Sequence, residues 1–236
     1  MSPPMQTDSL EIAILLYEGM TALDAIGPYE VLSRLPNTTI KLVAKKPGLV
    51  VTDTRYLALN ATDSLTDVPT PDVLLLPGGS AGTMKITQDQ AVLDWVRTAH
   101  ANTQWTTAVC TGVFLLGAGG LLTGVEATTH WASTADLARY NARYRPARFL
   151  QSGKIITAAG VSSGIDMALY LASQLRGEQV AKAIQLAIEY DPDPPFKSGS
   201  LQKADQETVQ QSRELLRSWF VDEFQKFFPD QAIPKL

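Results

Sequence analysis

The segment Thr106-Thr107-Ala108-Val109-Cys110-Thr111-Gly112 (TTAVCTG) decides how this chain is read. A short strand-like run stops at a cysteine. A small-residue helical stretch, Val113 to Leu122, follows with almost no loop between. A residue at such an elbow is pushed into a strained backbone conformation, with its side chain exposed at the end of a sheet. The helix that follows points free N–H groups at the sulfur, and its dipole is expected to stabilise the thiolate and lower the thiol pKa. Cys110 is therefore the candidate nucleophile. The competing reading is a buried structural cysteine, packed as a small hydrophobe.

Working outward, short apolar runs alternate with helical patterns. Glu11 to Tyr17 (EIAILLY) reads as a strand, followed by a helical stretch from about Asp24 to Leu35. Ile40 to Ala44 is a second strand, and Leu49 to Asn60 holds strand pieces around a turn at Asp53. Asp72 to Leu76 (DVLLL) is almost continuously apolar and ends in Pro77-Gly78-Gly79. Gln88 to Ala101 has helical spacing. Phe149 to Ala158 reads as two strand pieces around Ser152-Gly153, and Gly164 to Leu175 and Gly177 to Glu189 as two helices. Apolar strands bounded by helices predict a doubly wound α/β fold, with a mostly parallel sheet covered by helices on both faces.

Residues 10–199 form the expected α/β domain, after a loose tail over residues 1–9. The prolines of Asp191 to Gly199 (DPDPPFKSG) exclude helix and central strand. Residues 200–236 then form a helical extension. Its long helix, Asp205 to Phe228, carries Val209, Leu215, Leu216, Trp219, Phe220, Phe224 and Phe227. So many aromatic residues predict packing, on the domain itself or on a second subunit.

The totals exclude several classes. One cysteine in 236 residues allows neither an internal disulfide nor a cysteine zinc cluster. The two histidines, His100 and His130, lack close ligand spacing, so no metal is expected. A net charge of −4 leaves no basic footprint for nucleic acid or for anionic lipid. The first residues, MSPPMQTDS, lack the basic start and apolar core of a signal peptide, and no apolar run is long enough to span a bilayer. A cytoplasmic protein acting on a small molecule is the expectation.

Around Cys110 the sequence offers partners. Gly78 and Gly79 sit at the carboxyl end of an apolar strand, where open α/β sheets bind ligands. The Gly79 N–H and those of Thr111 or Gly112 are expected to converge on one developing charge, as an oxyanion hole does. The alternative for Pro-Gly-Gly is a plain turn. Asp24 lies just after the first strand among Leu23, Ala25 and Ile26. A carboxyl group desolvated there has a raised pKa and can act as general acid and base. A first-turn Asp complementing the helix dipole is the alternative. His130 offers a Cys–His pairing, against a structural histidine beside a packing Trp131. Trp131 and Val161 are candidate apolar residues of the substrate pocket.

The elbow AVCTG, the PGG strand end, and the segments LDAIGPYEVL, ATTHW and GVSSGIDMAL together resemble the DJ-1/PfpI superfamily, from about Glu11 to Ser200. QLAIEYDPDPPFKSGS, with Cys-Thr at the elbow, is similar to its isonitrile hydratase branch. That resemblance implies a flavodoxin-like fold of the class I glutamine amidotransferase kind, a homodimer and no cofactor. It also implies Cys110 as nucleophile, Asp24 as acid and a functional Thr111. Two departures matter. Many members carry Glu where this chain has Asp24, and protease-like members place His directly after the cysteine, where Thr111 stands. ATTHW and GIDMAL also resemble the sensing domains of AraC-type regulators, but the residues after Gly199 are too few for a DNA-binding domain. The activity implied is hydration of an isonitrile to an N-substituted formamide. Glyoxalase- or amidase-like action on a carbonyl compound and a non-catalytic redox-sensing thiol are the alternatives.

Overall fold

The computed structural model describes residues 8–234, so the tail expected over residues 1–9 falls, apart from Asp8 and Ser9, outside the described residues. The chain opens with β1 (Leu10–Leu15) and α1 (Ala22–Leu32). Next come β2 (Thr38–Ala44), a hairpin of β3 (Gly48–Val51) and β4 (Ala58–Ala61), and the two-residue β5 (Asp63–Ser64). β6 (Val73–Leu76), α2 (Ala81–Ile86) and α3 (Gln90–Asn102) lead to β7 (Trp105–Val109). One 3-10 turn, Cys110–Gly112, passes directly into α4 (Val113–Ala118). β8 (Glu126–Ala127) and β9 (Arg143–Tyr144) flank a 3-10 segment over Trp131–Tyr140. β10 (Phe149–Ser152) and β11 (Ile155–Ala158) precede α5 (Ser163–Arg176), α6 (Glu178–Ala187) and α7 (Gln206–Phe227).

Seven strands make one sheet in the order β10-β11-β7-β6-β1-β2-β5. Neighbours run parallel except at the edge, where β10 is antiparallel to β11. Ile14 of β1 lies opposite Leu75 of β6, which lies opposite Thr107 of β7. All four residues of β6 are buried, as expected of a central parallel strand covered on both faces. Each such leucine removed from water contributes about 1.5–3 kcal/mol. Helices cover both faces. α1 packs on α5 and α5 reaches β11, while α3 packs on α4 and α4 on β7. α3 shows how a local pattern builds this layer. Asp89 caps it by accepting the Ala91 and Val92 N–H groups, and Val92, Trp95, Val96 and Ala99 turn one stripe inward.

The chain leaves β1 toward β2 and β5, then returns to place β6 on the other side of β1. That reversal makes the carboxyl ends of β1 and β6 the switch point of the sheet. β7, which delivers Cys110, is the next strand along.

Two expectations change in detail. The helix after the elbow ends at Ala118 rather than Leu122, because Gly119 and Gly120 break it. α7 packs on its own domain along one stripe. Phe220, Phe224 and Phe228 stack with ring centroids 5.4 Å and 4.7 Å apart, against Ala81 and Met84 of α2. Leu215 and Trp219 lie on the other side of the helix, 54% and 61% exposed, so they are not part of that packing.

Candidate active site

β7 ends at Val109, and Cys110 takes a φ of 58°, the left-handed conformation that the elbow demands. A non-glycine residue held there stores roughly 1–2 kcal/mol of strain. The thiol is buried, with the residue 6% exposed. Gly78 lets the elbow approach the end of β6. A Cβ at Gly78 would lie 2.6 Å from the Thr111 nitrogen and 2.9 Å from the Cys110 Cβ.

Asp24 sits in the first turn of α1 and is fully buried. Its Oδ2 accepts the Gly78 N–H at 3.0 Å. Its Oδ1 has no conventional partner among the described residues. The Cys110 side chain is a polar neighbour of this carboxyl group. Burial pushes Asp24 up to about 8, against the opposing effects of the Gly78 N–H and of Cys110. That shift favours the neutral carboxyl group at neutral pH.

The same burial overturns the expectation of a lowered thiol pKa. Cys110 is pushed well above its ordinary value, by desolvation first and by Asp24 second. The six-residue α4 is too short for its dipole to outweigh that cost. The Thr111 N–H works in the opposite direction and favours the thiolate. The two groups therefore titrate as a pair. Burial raises both, and the Thr111 N–H favours charge on the sulfur.

The oxyanion donors are arranged differently from the sequence expectation. The Gly79 N–H does not stand free but donates to Thr111 Oγ1 at 3.0 Å, and that hydroxyl donates back to the Gly79 carbonyl. Gly112 serves close packing, since a Cβ there would lie 2.2 Å from the Leu76 carbonyl oxygen. The Thr111 hydroxyl also joins a buried chain, 3.0 Å from Thr83 Oγ1, which lies 2.9 Å from the Tyr17 hydroxyl. Tyr17 in turn donates to the Pro77 carbonyl at 2.9 Å.

His130 makes no hydrogen bond to Cys110. Its Nδ1 accepts the Ala132 N–H at 3.4 Å, capping the 3-10 segment, and its ring lies 5.6 Å from that of Trp131. Burial lowers its pKa, which favours a neutral ring. The neighbouring Thr129 reaches the elbow instead, donating its hydroxyl to the Cys110 carbonyl at 2.9 Å. Val161 is half-buried next to Gly160.

Gly160 is a close neighbour that sequence reasoning missed. A Cβ there would lie 2.7 Å from the Cys110 Cβ and 3.1 Å from Sγ, at a φ of 100°. Ser163 holds that turn by accepting the Gly160 N–H. The available signal was the position of Gly160 just past β11, the strand beside β7. Gly160→Ala is expected to destabilise the protein by about 2 kcal/mol and to displace the sulfur. Thermal unfolding and the rate of Cys110 alkylation check this, and wild-type values in both would show that the contact gives way freely.

Residues 10–174 match the DJ-1/PfpI family. The chain belongs to that family. Within the DJ-1/PfpI relatives it is 41% identical over 206 residues to isonitrile hydratase of Pseudomonas putida, covering 87% of this chain and 89% of that protein. The crystal structure of a THiJ/PfpI family protein from Pseudomonas syringae superposes with a TM-score of 0.87 at 34% identity, over 97% of this chain and 96% of the other. Drosophila melanogaster DJ-1beta has the same fold, with a TM-score of 0.71 at 21% identity over 77% of this chain and 98% of that one. The family match stops at residue 174, so α6 and α7 lie outside it.

Proposed function

We propose that this DJ-1/PfpI protein hydrates an isonitrile to an N-substituted formamide, with Cys110 as nucleophile and Asp24 as proton carrier. The observation that carries the reading is the buried pair itself. A fully buried carboxyl group stands beside the single cysteine of the chain, on a strained elbow. The 41% identity to a protein named isonitrile hydratase supports the choice of substrate.

In the reactive form the pair shares one proton. The sulfur bonds to the terminal isonitrile carbon, and Asp24 gives its proton to that same carbon. The product is a thioimidate, R–N=CH–S, and Asp24 is left as carboxylate. A water then loses a proton to Asp24 while its oxygen bonds to the carbon, and the proton passes to nitrogen. The resulting R–NH–CH(OH)–S collapses. Its hydroxyl proton returns to Asp24, the C–S bond breaks, and the formamide leaves with the starting pair restored. A buried carboxyl group with a pKa near the working pH suits these reversals of role. Thr111 favours the thiolate, and Gly78, Gly79 and Gly112 supply the backbone that shapes the site. Trp131 and Val161 are proposed as apolar contacts for the substituent, and His130 as support for Trp131.

The reacting unit is taken as residues 10–199 with the extension over residues 200–236, working in the cytoplasm as a homodimer. No helix among the described residues is long and apolar enough to cross a membrane. Sedimentation of the full chain tests the dimer. The decisive assay is formamide formation from a simple alkyl or aryl isonitrile. Absence of turnover, with methylglyoxal consumed instead, would move the assignment to carbonyl chemistry. Mild peroxide converting Cys110 to a sulfinic acid, with no turnover of either compound, would favour a redox sensor.

A further inference from the structure

α7 contributes a buried carboxylate to the far side of the candidate site. Glu223 is 6% exposed. Its Oε2 accepts the Ala81 N–H at 2.9 Å, and its Oε1 the Gly82 N–H at 3.3 Å. These two groups begin α2, immediately after the strand end that carries Gly78 and Gly79.

The same carboxylate presses on the loop that leaves β1. A Cβ at Gly19 would lie 2.5 Å from Glu223 Oε1 and 2.7 Å from the Phe227 ring. The Gly19 carbonyl oxygen in turn touches both turning glycines, since a Cβ at Gly79 would lie 2.3 Å from it and one at Gly82 2.5 Å. Met20 and Gly79 form an antiparallel bridge, and the Thr21 N–H donates to the Gly78 carbonyl at 2.8 Å. The Asp24 N–H donates to the Thr21 carbonyl at 3.1 Å. An unbroken set of close contacts thus runs from Glu223 through Gly19, Gly79 and Gly78 to Asp24.

We propose that Glu223 is a positioning residue. By accepting the Ala81 and Gly82 N–H groups, it holds the turn over residues 77–82 against the loop over residues 17–21, so that the Gly78 N–H meets Asp24 Oδ2. The helix outside the family match is then a working part of the site rather than a passive appendage. Burial raises Glu223 to about 7. The Ala81 and Gly82 N–H groups and Lys226 favour its charge, and Asp53 opposes it. Tyr17 feels its charge, and Lys226 is itself paired with Glu18.

The Gly78 N–H is the main group lowering the Asp24 pKa, so loosening the turn raises that pKa further. The test follows the Asp24 carboxyl titration by carbon NMR in wild type, Glu223→Ala and Glu223→Gln, with thermal unfolding and isonitrile turnover alongside. Glu223→Ala is expected to move the Asp24 titration midpoint up by about half to one pH unit and to lower kcat about tenfold with KM within about twofold. Glu223→Gln keeps one acceptor oxygen, so it is expected to restore most of the kcat and to show a smaller shift in the same direction. An unchanged midpoint in both variants, with only a lower melting temperature, would overturn the proposal. If Glu223→Ala fails to fold, the isosteric Glu223→Gln decides by its midpoint alone. The inference rests on the hydratase reading only for its turnover arm. A wild type with no turnover would sink that reading, while the Asp24 titrations would still decide the role of Glu223.

Discussion

Cys110→Ala is expected to abolish isonitrile hydration, lowering kcat by about ten-thousand-fold or more. Both steps of the proposed reaction pass through a bond to that sulfur, and the chain has no second thiol to replace it. Formamide formation followed by chromatography or by NMR gives the measurement. Residual turnover within about tenfold of wild type would remove the covalent route. A companion variant separates chemistry from strain. Cys110 sits at a φ of 58°, a conformation that glycine adopts freely. Cys110→Gly is therefore expected to be as inactive as Cys110→Ala, yet more stable than it by about 1 kcal/mol.

Asp24→Asn is expected to lower kcat by about a hundred- to ten-thousand-fold while making the protein more stable at pH 8. The sign follows from proton binding. In the folded chain the Asp24 pKa is raised from 3.8 to about 8. Between those values the folded chain holds a proton that the unfolded chain has released. The contribution is fully present below about pH 4 and is lost as pH rises through about 8. Asparagine escapes that loss and keeps an oxygen for the Gly78 N–H. A gain on the order of 2 kcal/mol at pH 8 is expected, shrinking toward pH 4. Denaturant unfolding at the two pH values reads it, and a variant less stable than wild type at pH 8 would show that the carboxyl group is ionised in the resting fold. Wild-type turnover should rise through about pH 8, as the pair loses its first proton, and this rise should be absent in Asp24→Asn.

The architecture was largely legible in the sequence because its signals are local. The run Val73 to Leu76 (VLLL) is apolar throughout because β6 is covered on both faces, and Ser152-Gly153 marks the β10–β11 hairpin. The elbow at Cys110 was readable for the same reason, as strand, cysteine and glycine adjoin in the chain. What could not be read was enclosure. The thiol pKa depends on how much protein closes over the sulfur, and Gly160 and Asp24 arrive there from distant segments. The engagement of the Gly79 N–H by Thr111 is likewise a tertiary contact. His130 drew notice by residue type, whereas Thr129 beside it supplies the contact to the elbow. Glu223 carries no sequence signal, since a single Glu in an aromatic helix reads as a solvent-facing charge until α2 is seen beneath it.

The hydrogen bonds that define the site join residues 54, 32, 19 and 142 positions apart in the chain. None of them forms within a single helix or hairpin. During folding such contacts come late, because each closes a long loop before it returns any energy. The thiol accordingly behaves as an ordinary, solvated cysteine until β1, β6 and β7 have paired and the loops have met. Its reaction rate with an alkylating reagent, sampled during refolding, is a clock for completion of the native topology. Intermediates with a formed sheet but an open site would register as a population whose cysteine still reacts at the rate of a free peptide.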